Sequence, residues 1–185
     1  MPTTSMLRPA TPGRDDARWL TDRWVEDPPL GTDMAKLAGR LNPVLTAEVT
    51  SPGVAHGADF ETILVAALGC AIARTVGPGS LAMVLDGEAA QRSIRLQCRD
   101  LRGADATHPA AVVAPGAGAG AVRVSYRSCV AGTTAPVGHL LALHARRGAD
   151  VIYLNWWYDT RSFDRHTIEE FDEQLPLALI EVVSG

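Results

Sequence analysis

The most regular hydrophobic pattern in the chain lies between Phe60 and Val76. Phe60, Ile63, Leu64, Ala67, Leu68, Ala71 and Ile72 recur at the spacing of one helix face. Asp59 stands where it can cap the free N–H groups, and Gly77-Pro78-Gly79 ends the run. Alanine and Gly69 fill most other positions, so this helix can lie tight against a sheet. A second stripe, Ile168, Phe171, Leu175, Ala178 and Val182, follows Asp164 and predicts a helix from there to about Val182. Pro176 within it is expected to kink the helix or end its first half. Trp19, Leu20, Trp24 and Val25 predict a helix over Asp15 to Glu26, stopped at Pro28-Pro29. Met34 to Leu41 reads as another helical turn or two, and Val44 to Thr50 as a strand.

Other segments alternate with period two. Leu81 to Leu85 is an apolar strand, and Ile94, Leu96 and Cys98 alternate with Arg95, Gln97 and Arg99. Ala111 to Ala114 is a short strand, and Val122 and Val124 alternate with Arg123 and Ser125. His139 to Ala145 and Val151 to Tyr158 flank Arg146-Arg147-Gly148-Ala149-Asp150 and predict a hairpin. Helices mixed among mostly antiparallel strands imply an α/β fold: a two-layer sandwich, its mixed sheet covered by helices on one face. Residues 1–13, rich in Pro, Thr and Gly, are expected to be a flexible arm, and residues 14–185 the folded domain.

Composition narrows the function classes. With 46% hydrophobic and 21% charged residues over 185 positions, the chain suits one substantial globular domain. A net charge of −4 argues against a general nucleic-acid or anionic-membrane binder. Of 17 basic residues only Lys36 is lysine, which reads as the signature of a GC-rich genome. Three cysteines, Cys70, Cys98 and Cys129, form no C-x-x-C pair, so a reducing cytoplasm is the expected location. The longest apolar run, Thr62 to Ala73, is too short to cross a bilayer, and the first residues carry no secretory pattern.

Gly116-Ala-Gly-Ala-Gly-Ala121 fits the dinucleotide fingerprint in letters. A strand pattern rather than a helix follows it, so it is read as a low-complexity loop, and no cofactor is expected. The five histidines form no ligand pair, and His139 and His144, five apart on the expected strand, fall on opposite faces, so no metal is expected. His144 and Asp150 could form an orienting pair across the hairpin, but an exposed strand histidine beside an unrelated aspartate is the simpler reading. Alternation sends Trp156 and Tyr158 to one sheet face and Trp157 to the other. Trp156 and Tyr158 are taken as partner contacts and Trp157 as core; a one-residue shift exchanges those roles.

The stretch Leu154-Asn-Trp-Trp-Tyr-Asp-Thr-Arg-Ser-Phe-Asp-Arg-His-Thr-Ile resembles the end of a nonribosomal-peptide-synthetase condensation domain, where a strand, a "Tyr-Asp…Phe-Asp…Thr-Ile" turn and a last helix close the fold. Leu45 to Thr50, the Ala-rich run Asp59 to Thr75, Asp86-Gly-Glu with Arg92, and Val122 to Ser128 are similar to successive elements of that family's C-terminal lobe. The resemblance implies one chloramphenicol-acetyltransferase-like lobe. The family's His-His-x-x-x-Asp-Gly motif belongs to its other lobe and has no counterpart here; His144 to Asp150 has one His and the wrong spacing. Between the Arg-ending loop and the "Val-Ser" strand the family has some 80 residues, where this chain has the 29 of Ser93 to Ala121.

No catalytic residue is therefore assigned. The resemblance implies a lobe that is not a catalyst alone and acts through a carrier protein, a His-motif-bearing partner lobe or a second copy in a two-fold dimer. A small-molecule (acyl) binding protein and a small acyltransferase using His139 or His144 as base are the alternatives.

Overall fold

The computed structural model describes residues 15–51, 59–87, 90–100, 113–115, 120–127 and 136–184. Seven strands form one sheet: β1 (Met34–Arg40), β2 (Gly79–Asp86), β3 (Gln91–Cys98), β4 (Val113–Pro115), β5 (Val122–Arg127), β6 (Leu141–Arg147) and β7 (Ile152–Asp159). Their spatial order is β1-β7-β6-β5-β2-β3-β4. The β6–β5 and β5–β2 pairs are parallel and the other four antiparallel, so the sheet is mixed and mainly antiparallel, as the pattern implied. Three helices accompany it: α1 (Pro43–Thr50), α2 (Phe60–Val76) and α3 (Arg165–Ser184).

The core lies between one sheet face and α2 with α3. Every residue from Ile63 to Ile72 is buried, and from α3 so are Ile168, Phe171, Leu175, Ala178 and Val182. They meet Leu81, Met83 and Leu85 of β2, Ile94, Leu96 and Cys98 of β3, Val122 and Val124 of β5, and the matching positions of β6 and β7. Gly69 gives the close helix–sheet approach: a Cβ there would stand 3.2 Å from the Gln97 carbonyl oxygen. Asp59 Oδ1 accepts from the Thr62 N–H at 2.8 Å, and Gly77, at φ +104°, ends α2 in a conformation that L side chains rarely adopt. Arg74 joins the ends of α2 and α3 through Asp100 and Glu181.

Three local expectations are corrected, and one of the two alternatives at Pro176 is excluded. Met34–Arg40 is an edge strand rather than helical turns, because its backbone groups pair with the whole of β7. Pro43–Thr50 is a helix rather than a strand: Asn42 Oδ1 accepts from the Leu45 N–H at 2.8 Å and Pro43 occupies the first turn. Between Asp15 and Glu26 only a 3-10 segment, Asp15–Leu20, forms. Helix α3 continues through Pro176 rather than ending there. The arm 1–13, the Gly116–Ala119 part of the glycine-rich segment and Cys129 lie outside the described residues.

Candidate functional site

Helices cover one face of the sheet, and the other carries the unexplained polarity. Because strand side chains alternate, each register row places one residue per strand on this open face. One row reads Lys36, Trp157, Ala142, Arg123 and Val84, and the next Ala38, Asn155, His144, Ser125 and Asp86. Ala82, Val84 and Ala142 are buried there without belonging to the helix-packed core. Lys36, Arg40, Arg123, Arg127 and Arg146 all stand on this face. Its strand carboxylates, Asp86 and Asp159, are both engaged by arginines.

Asp86 receives Arg123 Nη2 at 2.7 Å and Arg127 Nη2 at 3.0 Å. Burial alone would raise its carboxyl, but these two guanidinium hydrogen bonds hold it below the ordinary carboxylate range. His144, one strand beyond Ser125, has its pKa lowered to about 4, first by burial and then by the charge of Arg123. It is therefore a neutral imidazole at neutral pH. His139 is also pushed down by burial, with Arg123 adding to the effect against a hydrogen bond to Gly120. Its Nδ1 lies 3.0 Å from the Gly120 carbonyl oxygen, which can only accept, so Nδ1 carries the proton. His139 precedes β6, so strand alternation does not set its face, and both histidines are lowered by the charge of Arg123. His144 is paired in register with Ser125 and Asn155, while Asp150 lies exposed in the hairpin turn, away from the register rows.

Among the described residues, three buried side-chain nitrogens on this face have no hydrogen-bond partner: Arg123 Nε, His144 Nε2 and Trp157 Nε1. Buried polar groups normally find partners, and leaving one unpaired costs about 1–3 kcal/mol. The aromatic assignments are exchanged relative to expectation. Trp156 is fully buried and Tyr158 nearly so, both toward the helices, so neither offers a contact surface; Trp157 stands on the open face, with Lys36 Nζ 5.7 Å from its ring centroid. The alternation itself is as the sequence indicates.

A second polar cluster is structural in character. Asp159, fully buried, accepts from the Arg161 N–H (3.0 Å), Arg161 Nε and Nη2 (2.9 Å each) and Ser162 Oγ (3.2 Å). Asp22 accepts from the Asp164 N–H at 2.7 Å and from Thr167 Oγ1, tying the start of α3 to the N-terminal segment. Every polar group named in this turn is paired, so its Tyr-Asp…Phe-Asp…Thr-Ile pattern has a folding role. A separate cleft of about 340 Å³ is lined by Asp59, Phe60, Glu61, Gly87, Arg92 and Tyr126. Among the described residues no group of three metal-ligating side chains converges, and no helix is long and apolar enough to cross a membrane.

The architecture can now be set beside known proteins. The epimerization domain from the third module of tyrocidine synthetase B superposes with a TM-score of 0.64 at 12% identity, over 92% of this chain and 55% of that one. The chain shares the condensation-domain fold. The X-domain from teicoplanin biosynthesis (TM-score 0.62, 16% identity, 89% of this chain and 50% of that one) has it as well. No family model matches. By sequence, a polypeptide of the phenolphthiocerol/phthiocerol polyketide synthase, from Mycobacterium tuberculosis and from Mycobacterium bovis alike, is 28% identical across 89% of this chain. The chain spans about half the length of those solved condensation-fold domains and 16% of the synthase polypeptide. The sequence alignment runs over 234 residues, more than the 185 of this chain, so the relative carries inserted segments absent here.

Proposed function

We propose that this chain serves nonribosomal-peptide or polyketide assembly as a condensation-type C-terminal lobe, not catalytic alone and completed by a second lobe bearing the His-His-x-x-x-Asp-Gly motif. The observation that carries the proposal is the open sheet face: among the described residues no helix covers it, and three buried nitrogens on it lack partners. A second copy in a two-fold dimer is a different partner for the same face, one that brings no such motif, and a carrier protein is the further partner that a completed pair would serve. The compartment that goes with this reading is the cytoplasm, which three cysteines without a C-x-x-C pair favour.

The histidines support the non-catalytic half of this reading. A general base works best with a pKa near the operating pH, and His144, lowered to about 4, is a weak base at neutrality. Proton abstraction by His144 is thus poorly matched to acyl transfer. The test is acyl-thioester condensation by the purified chain, alone and mixed with a His-motif-bearing lobe. Activity only in the mixture, retained by His139→Ala and His144→Ala, is the expected result. Turnover by the chain alone, abolished in either variant, would overturn the proposal in favour of a small acyltransferase.

A further inference from the structure

The two edges of the sheet differ in how they would receive a further strand. Strand β4 is three residues long and includes Pro115, and a short edge with a proline is a poor template for pairing. Strand β1 is seven residues long, contains no proline, and runs in unbroken antiparallel register with β7 from Met34 to Arg40. The direction of its backbone groups follows from its two ends. Leu41 N–H donates to the Ile152 carbonyl oxygen at 2.9 Å, and the Asp33 carbonyl oxygen accepts from Thr160 N–H at 3.0 Å. Successive strand residues turn these groups to alternate sides, so Ala35, Leu37 and Gly39 face β7 while Met34, Lys36, Ala38 and Arg40 face outward. Met34 N–H returns to the Gly31 carbonyl oxygen. Among the described residues, the N–H and C=O groups of Lys36, Ala38 and Arg40 meet no partner, and all three residues are exposed.

The same residues set the chemistry of this edge. Lys36 and Arg40 stand in register with Trp157 and Tyr153, and among the described residues neither pairs with a carboxylate. Arg146, its guanidinium carbon 4.8 Å from the Tyr153 ring centroid, adds a further cation. On the opposite face Ala35 and Leu37 pack, half-buried, against the core. An incoming strand therefore meets cations on one face and apolar side chains on the other. A second copy of β1 fits this poorly. Pairing about Ala38 sets Lys36 opposite the copy's Arg40, and like charges directly opposite are destabilising. Pairing about Leu37 still lines the lysine and arginine of both copies along one seam without an acid. A lysine in mid-edge is a natural guard against such self-pairing, and it turns into an attraction when the added strand is acidic.

We infer that β1 is a docking edge for an extended acidic segment of a partner polypeptide, which adds as an eighth strand with carboxylates opposite Lys36 and Arg40. In this mode main-chain hydrogen bonds supply affinity and alternate side chains supply specificity. The segment that fits carries acids four residues apart, with apolar residues between them at the positions that face Leu37 and Gly39. The pairing uses the rim of the sheet rather than the cover of its open face, so it stands or falls without any second lobe.

The test is an NMR titration of the full chain with a blocked peptide, Ser-Glu-Val-Thr-Val-Glu-Ser, whose glutamates stand opposite Lys36 and Arg40 when its threonine is opposite Ala38. The amide resonances of Lys36, Ala38 and Arg40 should move along a saturable curve, and those of Ala35, Leu37 and Gly39, already turned to β7, should move less. Replacing both glutamates by lysine should weaken binding by more than about tenfold. Ala38→Pro removes an outward N–H where an edge strand tolerates proline, and should weaken binding by about tenfold. An N-methyl group on the peptide's threonine removes the facing hydrogen bond without altering the protein, and should act in the same direction. Shifts that do not saturate, equal binding of the two peptides, or binding that survives both Ala38→Pro and N-methylation would overturn the docking edge. Concentration-dependent broadening of the three outward amides in the free chain, with a dimer in sedimentation, would overturn it in favour of a second copy.

Discussion

Trp156 and Trp157 are neighbours in β7 and live in opposite worlds. Trp156 points to the helices, packs 6.1 Å from the Phe171 ring, and gives its Nε1–H to Asp172 Oδ1 at 2.7 Å. Trp157 points to the open face, beside Lys36, with its Nε1 buried and unpaired. The difference extends over the sheet. Buried polar atoms without a partner among the described residues occur on both sides, Trp19 Nε1 and Thr75 Oγ1 beside the helices, but the helix side is mainly apolar and the open side cationic. A net charge of −4 conceals this sorting, because acids such as Glu169, Glu170, Glu173 and Glu181 are placed on α3 and basic residues on the sheet. Whole-chain charge thus excludes a generally basic protein without excluding a basic face.

The strongest way to break the helix side is to open a cavity in it. Phe171 is fully buried between α3 and Trp156. Phe171→Ala should cost about 3–5 kcal/mol in urea unfolding, from lost transfer energy and the residual cavity. A cost below about 1 kcal/mol would mean that α3 is not the roof of the core.

Acid probes the open side. His144 has a folded pKa of about 4 against an ordinary 6.5, so the unfolded chain takes up its proton first. The resulting stability is fully present above pH 6.5 and is lost as pH falls through about 4. At about 1.4 kcal/mol per unit, and allowing for partial exposure, the loss attributable to His144 is about 2–3 kcal/mol. Other groups titrate in the same range, so the readout is a difference. His144→Gln should lose less stability than the parent between pH 7 and pH 4; parallel curves would place the imidazole in water.

What the sequence revealed follows from the kind of signal each element left. Helix α2 was legible because period, cap and terminator agree: the Ile63–Ile72 stripe, Asp59 and Gly77. The hairpin of β6 and β7 was legible because two apolar runs flank a turn closed by Gly148 N–H to the Val151 carbonyl at 2.7 Å. Strand β1 was not, since Met, Ala, Lys and Leu are good helix formers, and pairing with β7 overrides their propensity. Helix α1 was hidden by the β-branched Val44, Thr46, Val49 and Thr50, although Asn42-Pro43 is a helix start signal. For the site, alternation grouped Trp156 with Tyr158 and set Trp157 apart. Which group faces the helices depends on where α2 and α3 dock, and no local pattern encodes that. The donors around Ala142 come from three strands, and only register brings them together.

Removing one N–H from each tryptophan tests the contrast most finely. Trp156→Phe keeps an aromatic ring in the core but deletes the donor to Asp172. Asp172 is already raised above the usual carboxylate range by burial, which the Trp156 hydrogen bond partly offsets while the charge of Glu173 adds to the rise. Without that donor the buried carboxylate loses a charge-assisted bond worth about 1.5–3 kcal/mol, and its pKa should climb further. The loss should therefore shrink as the pH is lowered and Asp172 takes up its proton. Trp157→Phe deletes a donor that holds nothing, so removing it relieves an unpaired buried group. That relief and the loss of ring area beside Lys36 act in opposite directions, so its stability should stay within about 1 kcal/mol of the parent and change little with pH. Thermal unfolding of the two variants at pH 7 and pH 4 supplies the measurement. Equal losses at pH 7 would mean that Trp157 Nε1 has a partner in solution, and the difference between the two faces would be one of packing alone.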